Sequence, residues 1–319
     1  MKTPTARTLA RWERLSRSQR ENLNGQLLTG PSLLLVTLVV LLPFVLVVVF
    51  ALSDTRLVDI PRLSPSTIEW SLDNFRDAAR SEAFWDALWT TIAYAGLTTV
   101  GSIGVGLALA LALRRPFRGR GLVRALLLVP YVLPVIAAAT IWRTMLNPQY
   151  GIVNAVGQEY LGWQTPIGFL STTSAELAGV PVPVSLLVVI CFEIWKSFPL
   201  AFLFITARLQ SVPGEIEEAG ALDGASGGQS LRHLVLPQLR GVILLLALLR
   251  FIWSFQNFND VYLLTEGAGG TQVMAIKVYT ELVTRADIGG AAAYGLLMSL
   301  ILSVLLAGYL LLSRRKEPM

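Results

Sequence analysis

Long apolar runs separated by short polar stretches dominate this chain. A helix that crosses a bilayer needs about 20 consecutive, mostly apolar residues. Six stretches meet that requirement, at 30–52, 86–113, 121–145, 184–208, 237–264 and 290–313. The pattern predicts an all-α polytopic membrane protein with six transmembrane helices. A basic N-terminal tail over 1–29 precedes one six-helix domain over 30–313, and a short basic tail over 314–319 follows it. The first run has a basic flank like a secretory signal, but its apolar core exceeds the roughly 7–15 residues of such signals. It is therefore expected to stay as an uncleaved anchor.

The segments between the runs carry their own patterns. Over 54–85 the chain is too polar to span, yet Ile68, Leu72, Phe75, Ala78 and Ala79 recur at helical spacing among Asp73, Arg76, Asp77 and Arg80. This predicts a short external amphipathic helix. The stretch 146–183, punctuated by Pro148, Gly151, Gly162, Pro166, Gly179, Pro181 and Pro183, predicts turns and at most one short helix. In the 209–237 loop, Pro213 suits the first turn of a helix and Glu215, Glu217 and Glu218 suit its positive end. Gly224 stops that helix, and Ser226 with Gln229 forms a capping box that restarts one. Two short helices meeting at Asp223-Gly224 result.

Charge sets the orientation. Lys2, Arg7, Arg11, Arg14, Arg17, Arg20, Arg114, Arg115, Arg118, Arg120, Arg124, Arg208, Arg232, Arg240, Arg314, Arg315 and Lys316 fall on one side. Only Arg56, Arg62, Arg76, Arg80, Arg143, Lys277 and Arg285 fall on the other. The bias predicts both termini in the cytoplasm. With 54% hydrophobic and 15% charged residues the chain is too apolar for a soluble globule. The net charge of +5 is explained by basic residues flanking apolar spans, without invoking nucleic acid. One cysteine, Cys191, and one histidine, His233, rule out an intramolecular disulfide and argue against a Cys/His metal site. None of the four lysines follows a glycine, so the phosphate-cradling G-x4-G-K-[ST] motif is missing.

One loop breaks the basic trend of its side of the membrane. The 209–237 segment carries Glu215, Glu217, Glu218 and Asp223 against Arg208, Arg232 and Arg240. Within it, Glu218-Ala219-Gly220, then Gly224, then Leu234-Val235-Leu236-Pro237 reads E-A-G-x3-G-x9-L-x-L-P. It closely resembles the EAA loop of ABC-type import permeases, E-A-A-x3-G-x9-I-x-L-P, with Gly220 replacing Ala and Leu234 replacing Ile. The resemblance implies the fold of a type I ABC importer permease. It also implies that Glu218, Ala219, Gly220, Asp223, Gly224, Leu234, Leu236 and Pro237 form a coupling helix and its support, docked on a separate ATPase subunit.

Ionisable groups inside spans are expensive and usually paired or functional. Glu193 and Lys196 lie on one face of span four, where an internal ion pair and direct substrate contact are both open readings. Span five contains Arg250, Trp253, Ser254, Gln256, Asn257, Asn259 and Asp260, polar groups that must face protein or an aqueous cavity. Trp253, Ser254, Asn257 and Val261 are expected on one face, combining an apolar ring with hydrogen-bonding groups as a sugar requires. The string 257–265 with Gly267, Gly269 and Gly270, together with Val129-Pro130-Tyr131-Val132-Leu133-Pro134 and Glu193-Ile194-Trp195-Lys196-x-x-Pro199, is similar to carbohydrate-uptake permeases of the maltose-permease (MalF) type. Carried over from that resemblance, the substrate-lining positions fall on Val135, Glu193, Lys196, Ser197, Leu200, Trp253, Ser254 and Asn257.

The resemblance implies a non-catalytic subunit in a prokaryotic inner membrane. Its expected partners are a MalG-like sister permease, an ATPase dimer carrying ATP and Mg, and an extracytoplasmic solute-binding protein. Val135, Glu193 and Lys196 depart from the maltose-specific chemistry, so the expected cargo is a di- or oligosaccharide, with a polyol phosphate such as glycerol-3-phosphate as the alternative. An ion-driven secondary transporter is a further alternative, weakened by the lack of an evident inverted repeat.

Overall fold

The computed structural model describes residues 29–62, 68–177 and 180–314. The two basic tails, apart from Thr29 and Arg314, lie outside the described residues. The helices are α1 (Thr29–Ala51), α2 (Asp73–Arg80), α3 (Glu82–Ala112), α4 (Arg120–Val132), α5 (Val135–Met145) and α6 (Ile152–Tyr160). A two-stranded antiparallel hairpin, β1 (Ala175–Leu177) and β2 (Val180–Val182), precedes α7 (Val184–Gln210). Then come α8 (Gly214–Leu222), α9 (Gly227–Phe255), α10 (Asn259–Thr265), α11 (Met274–Tyr279) and α12 (Ile288–Arg314). Among the described residues, five helices are long and apolar enough to cross a membrane, or six if the bent pair α4–α5 counts as one span.

The internal helices α3 and α7 pack together as the spine of the bundle. Ser102, Gly106 and Ala110 recur every four residues along α3 and are all buried. A Cβ on Gly106 would meet the Ala201 Cβ at 2.7 Å, so only glycine permits this approach of the two backbones. Small residues at such spacing are how helices approach closely in lipid, where van der Waals packing rather than water exclusion drives association. Around this spine, one apolar cluster joins Phe84, Leu88, Phe255, Met274 and Tyr294, and another joins Ala201, Phe202, Ile205, Leu239 and Leu246. α1 stands outside it, packing on α12 and exposing Leu33 to Val47.

Several elements differ from the sequence expectation, each for a local reason. The 121–145 run is not one straight span: α4 and α5 meet at a 95° bend. Leu133 precedes Pro134, whose ring disfavours helical geometry in the residue before it, and Leu133 is extended with ψ 135°. The 237–264 run also breaks, between Phe255 and Asn259. There the Asn257 side chain accepts from the backbone N–H of Asp260 at 3.1 Å, a local bond that competes with the helical one. The external helix is shorter than predicted, since Ile68 and Leu72 precede Asp73, and Leu72 and Ala79 are exposed. The 146–183 segment adds the hairpin to its short helix, α6.

Candidate functional site

Two groups of polar residues stand out, one inside the bundle and one at its end. The internal group is a network of two anions and two cations contributed by α7, α9 and α10. Glu193 meets Arg250 at 2.5 Å and Lys196 at 3.2 Å, and Lys196 also pairs with Asp260. Glu193, Arg250 and Asp260 are buried, at 2%, 4% and 1% exposure. Neutral donors complete the carboxylates: the Ser197 hydroxyl donates to Glu193 at 2.9 Å, and Asn257 Nδ2 donates to Asp260 at 2.7 Å. Arg250 in turn reaches the Ser254 hydroxyl at 3.3 Å.

The internal ion pair of Glu193 and Lys196 is therefore formed, and it is half of a larger cluster. The break after Phe255 makes the cluster possible, because it lets Asp260 at the start of α10 face back toward α7. Of the substrate-lining positions taken from the resemblance, Glu193, Lys196, Ser197, Ser254 and Asn257 come together in this network. Val135, at the start of α5, and Leu200, on α7, are half-buried apart from it. The expectation that Trp253, Ser254, Asn257 and Val261 share one helical face is not met. Trp253 is 50% exposed while Ser254 and Val261 are buried, and the helix ends before Asn257. Arg250 and Asp260, central to the cluster, were missing from the sequence-based site set. Their signal was available as charge inside a span.

A second buried pair was also missed. Lys277 on α11 meets Glu281 at 3.0 Å, with both side chains almost wholly buried, and Arg285 meets the same carboxylate at 3.1 Å. The i, i+4 spacing of all three was its sequence signal.

At the end of the bundle where α3 and α7 finish, α8 and the start of α9 form a helical hairpin. Asp223 caps α8, and Gly224 turns the chain with φ +80°, the left-handed region that favours glycine. Ser226 and Gln229 make the reciprocal capping box, Gln229 Oε1 accepting from the Ser226 N–H at 2.8 Å. Pro213 sits one position before α8 rather than in its first turn. Glu218, Ala219, Asp223 and Gly224 are exposed, and Leu222 is 89% exposed at the tip.

Behind that surface the hairpin is anchored. Arg114, just beyond α3, pairs with Glu217. Arg208 donates to the Gln238 carbonyl at 3.1 Å. Pro237 brings no N–H, and the chain runs through a wide π turn over Leu231–Val235 just before it. The two departures from the family spacing pattern touch each other: Leu234 Cδ1 lies 2.5 Å from where a Gly220 Cβ would stand. Leucine at 234 occupies the space that alanine at 220 would use. Leu236 is half-buried and Pro237 exposed.

Among the described residues, no group of three His, Cys, Asp or Glu side chains could hold a metal ion.

A bundle of apolar helices with a projecting two-helix hairpin at one end is the architecture of a transport-system membrane subunit. The chain belongs to the family of binding-protein-dependent transport system inner membrane components, whose model matches residues 102–318. It is 33% identical over 292 residues to the inner membrane ABC transporter permease protein YcjO of Escherichia coli, covering 91% of this chain and 92% of that protein. It is 28% identical over 207 residues to the trehalose/maltose transport system permease protein MalF of Thermococcus litoralis, covering 65% of this chain and 66% of that protein. Its fold matches the crystal structure of a bacterial ABC transporter involved in the import of the acidic polysaccharide alginate. That match has a TM-score of 0.79 at 20% identity and covers 95% of this chain and 100% of the other.

Proposed function

We propose that this chain is the permease subunit of an ATP-driven importer of a di- or oligosaccharide, completed by a sister permease, an ATPase dimer and an extracytoplasmic solute-binding protein. The observation that carries the reading is the α8 hairpin. It is supported from behind by Arg114, Arg208 and its capping box, yet leaves Leu222, Glu218 and Asp223 exposed on the outside. A single exposed leucine costs little by itself, but on a supported tip flanked by charge it offers an apolar anchor to a partner's pocket. ATP and Mg belong to that partner. Closure of the ATPase dimer would push the hairpins together and turn the bundle outward; hydrolysis would reset it. Because coupling is reciprocal, delivery of solute by the binding protein favours ATPase closure.

The sugar cargo is supported by the resemblance to carbohydrate-uptake permeases and by the trehalose/maltose relative. The internal cluster bears on the alternative cargo. A polyol phosphate would need surplus positive charge, whereas Lys196 and Arg250 are matched by Glu193 and Asp260. The cluster is neutral as a unit, which favours an uncharged polyhydroxyl cargo beside the half-exposed Trp253. At the end opposite the hairpin, a cavity of about 480 Å³ between Thr140, Arg143, Asn147, Tyr150, Ser171 and Glu266 is where delivered solute would arrive.

The test is ATP hydrolysis by the complex copurified with this chain, reconstituted with its binding protein and screened over sugars and polyol phosphates. Stimulation by a di- or oligosaccharide is expected. Stimulation only by a phosphate ester would overturn the cargo, and uptake without any copurifying ATPase would overturn the mechanism. Glu218→Lys is expected to abolish uptake while membrane insertion stays intact.

A further inference from the structure

At the same end of the bundle as the α8 hairpin, a second pocket of about 300 Å³ opens between the C-terminal ends of α3 and α7 and the start of α4. Arg114, Arg120, Arg124, Thr206 and Gln210 line it. Three guanidinium groups converge there. Arg114 is matched by Glu217 and Arg124 donates to the Leu113 carbonyl at 3.3 Å, but neither Arg120 nor Arg124 meets a carboxylate among the described residues. Among the described residues, the Nε atoms of both are buried without a hydrogen-bond partner, as is the hydroxyl oxygen of Thr206, a residue only 9% exposed. Buried donors are normally satisfied, and a native exception asks for a missing partner. Here the missing partner must accept several N–H bonds and carry negative charge.

Position narrows the chemistry. The pocket lies where the apolar helices α3 and α7 end, which in a bilayer is the level of the lipid headgroups. Leu203, 42% exposed, sits seven residues before Gln210 on the same stripe of α7, so an apolar surface rises from the pocket rim into the span. Arginine suits phosphate because its planar fork offers paired N–H donors. Basic pockets between transmembrane helices are a recurrent way of holding phospholipid headgroups.

We propose that Arg120 and Arg124, with Thr206, form a phosphoryl-binding site occupied by the headgroup of an anionic phospholipid, its acyl chains lying along the Leu203 stripe. Arg114 connects this site to the hairpin. It lines the pocket and pairs with Glu217 on α8, so a bound headgroup offers Arg114 a second anion beside the coupling helix. The proposal concerns neither the cargo nor its path and stands apart from both.

The experiment is electron spin resonance on the intact copurified complex in phosphatidylcholine vesicles doped with spin-labelled phosphatidylglycerol. The wild-type complex is expected to immobilise phosphatidylglycerol in preference to labelled phosphatidylcholine. At about fivefold per arginine, Arg120→Gln combined with Arg124→Gln weakens that preference roughly 25-fold at this site. Should the double variant fail to assemble, Gln210→Glu places a carboxylate in the pocket without removing an arginine and is expected to give the same loss. Phosphorus NMR of inorganic phosphate added to the same complexes distinguishes the source. Phosphate bound by wild type and lost in the variants, without any lipid preference, keeps the phosphoryl site but assigns it a free phosphate. Equal lipid preference and equal phosphate binding in wild type and variants overturns the proposal.

Discussion

The charge cluster and the α8–α9 hairpin are both rich in ionisable residues, yet they solve opposite problems. Around Glu193, each cation has an anion within the chain, and serine and asparagine donors fill further acceptor sites. Around Leu222, the charges are exposed, while Arg114 and Arg208 bond the rear of the hairpin. Burial explains the difference. An unmatched charge inside a membrane bundle costs several kcal/mol, whereas an exposed one costs little. A self-satisfied network therefore marks a place where the fold completes itself, and an exposed, well-supported surface marks a place where another chain does.

That contrast can be broken from either side. The largest effect is expected at Arg250→Met, which leaves Glu193 buried with Lys196 as its remaining cation. Breaking such a pair costs about 3–5 kcal/mol, read as a lower unfolding temperature of the purified chain in detergent. A variant as stable as wild type would mean that the cluster is hydrated rather than closed. Next, Leu222→Asp should leave stability unchanged but lower uptake at least about 30-fold, the cost of losing an interface anchor worth about 2 kcal/mol. Normal uptake by that variant would remove the tip from the coupling surface.

Smaller effects probe the hairpin's own construction. Gly220→Ala gains about 1 kcal/mol of helix propensity but drives a methyl group into the Leu234 side chain, for a net loss of about 0–2 kcal/mol. Adding Leu234→Val should recover most of it, and thermal unfolding of the four proteins in that cycle measures the coupling. The smallest change is Ser226→Ala, which removes the cap of α9 at about 0.5–1 kcal/mol. Proteolysis at the 223–226 turn should rise in proportion.

The legible parts of the molecule were those written in periodicity or spacing. Apolar length announced the spans, and the separated elements from Glu218 to Pro237 announced the hairpin, with the Ser226–Gln229 box and the Gly224 stop as read. What remained hidden was where an apolar run bends. Pro134 and Asn257 sit inside stretches whose hydrophobicity continues past them, so a length criterion joins what a single side chain divides. The same breaks hid the cluster. Glu193 and Lys196 are neighbours on one helix and could be paired from sequence, but Arg250 and Asp260 reach them across 57 and 64 positions of chain.

The contact between Gly220 and Leu234 has a consequence for building hybrid transporters. A segment cut at the boundaries of α8 would carry the glycine and leave its leucine behind. Set into a scaffold that keeps isoleucine at the second position, the transplanted helix would lie over a differently shaped floor, and its tip would project at an altered angle. The exchangeable unit is the whole stretch from Pro213 to Pro237, because the exposed face of α8 is shaped from behind by Leu234.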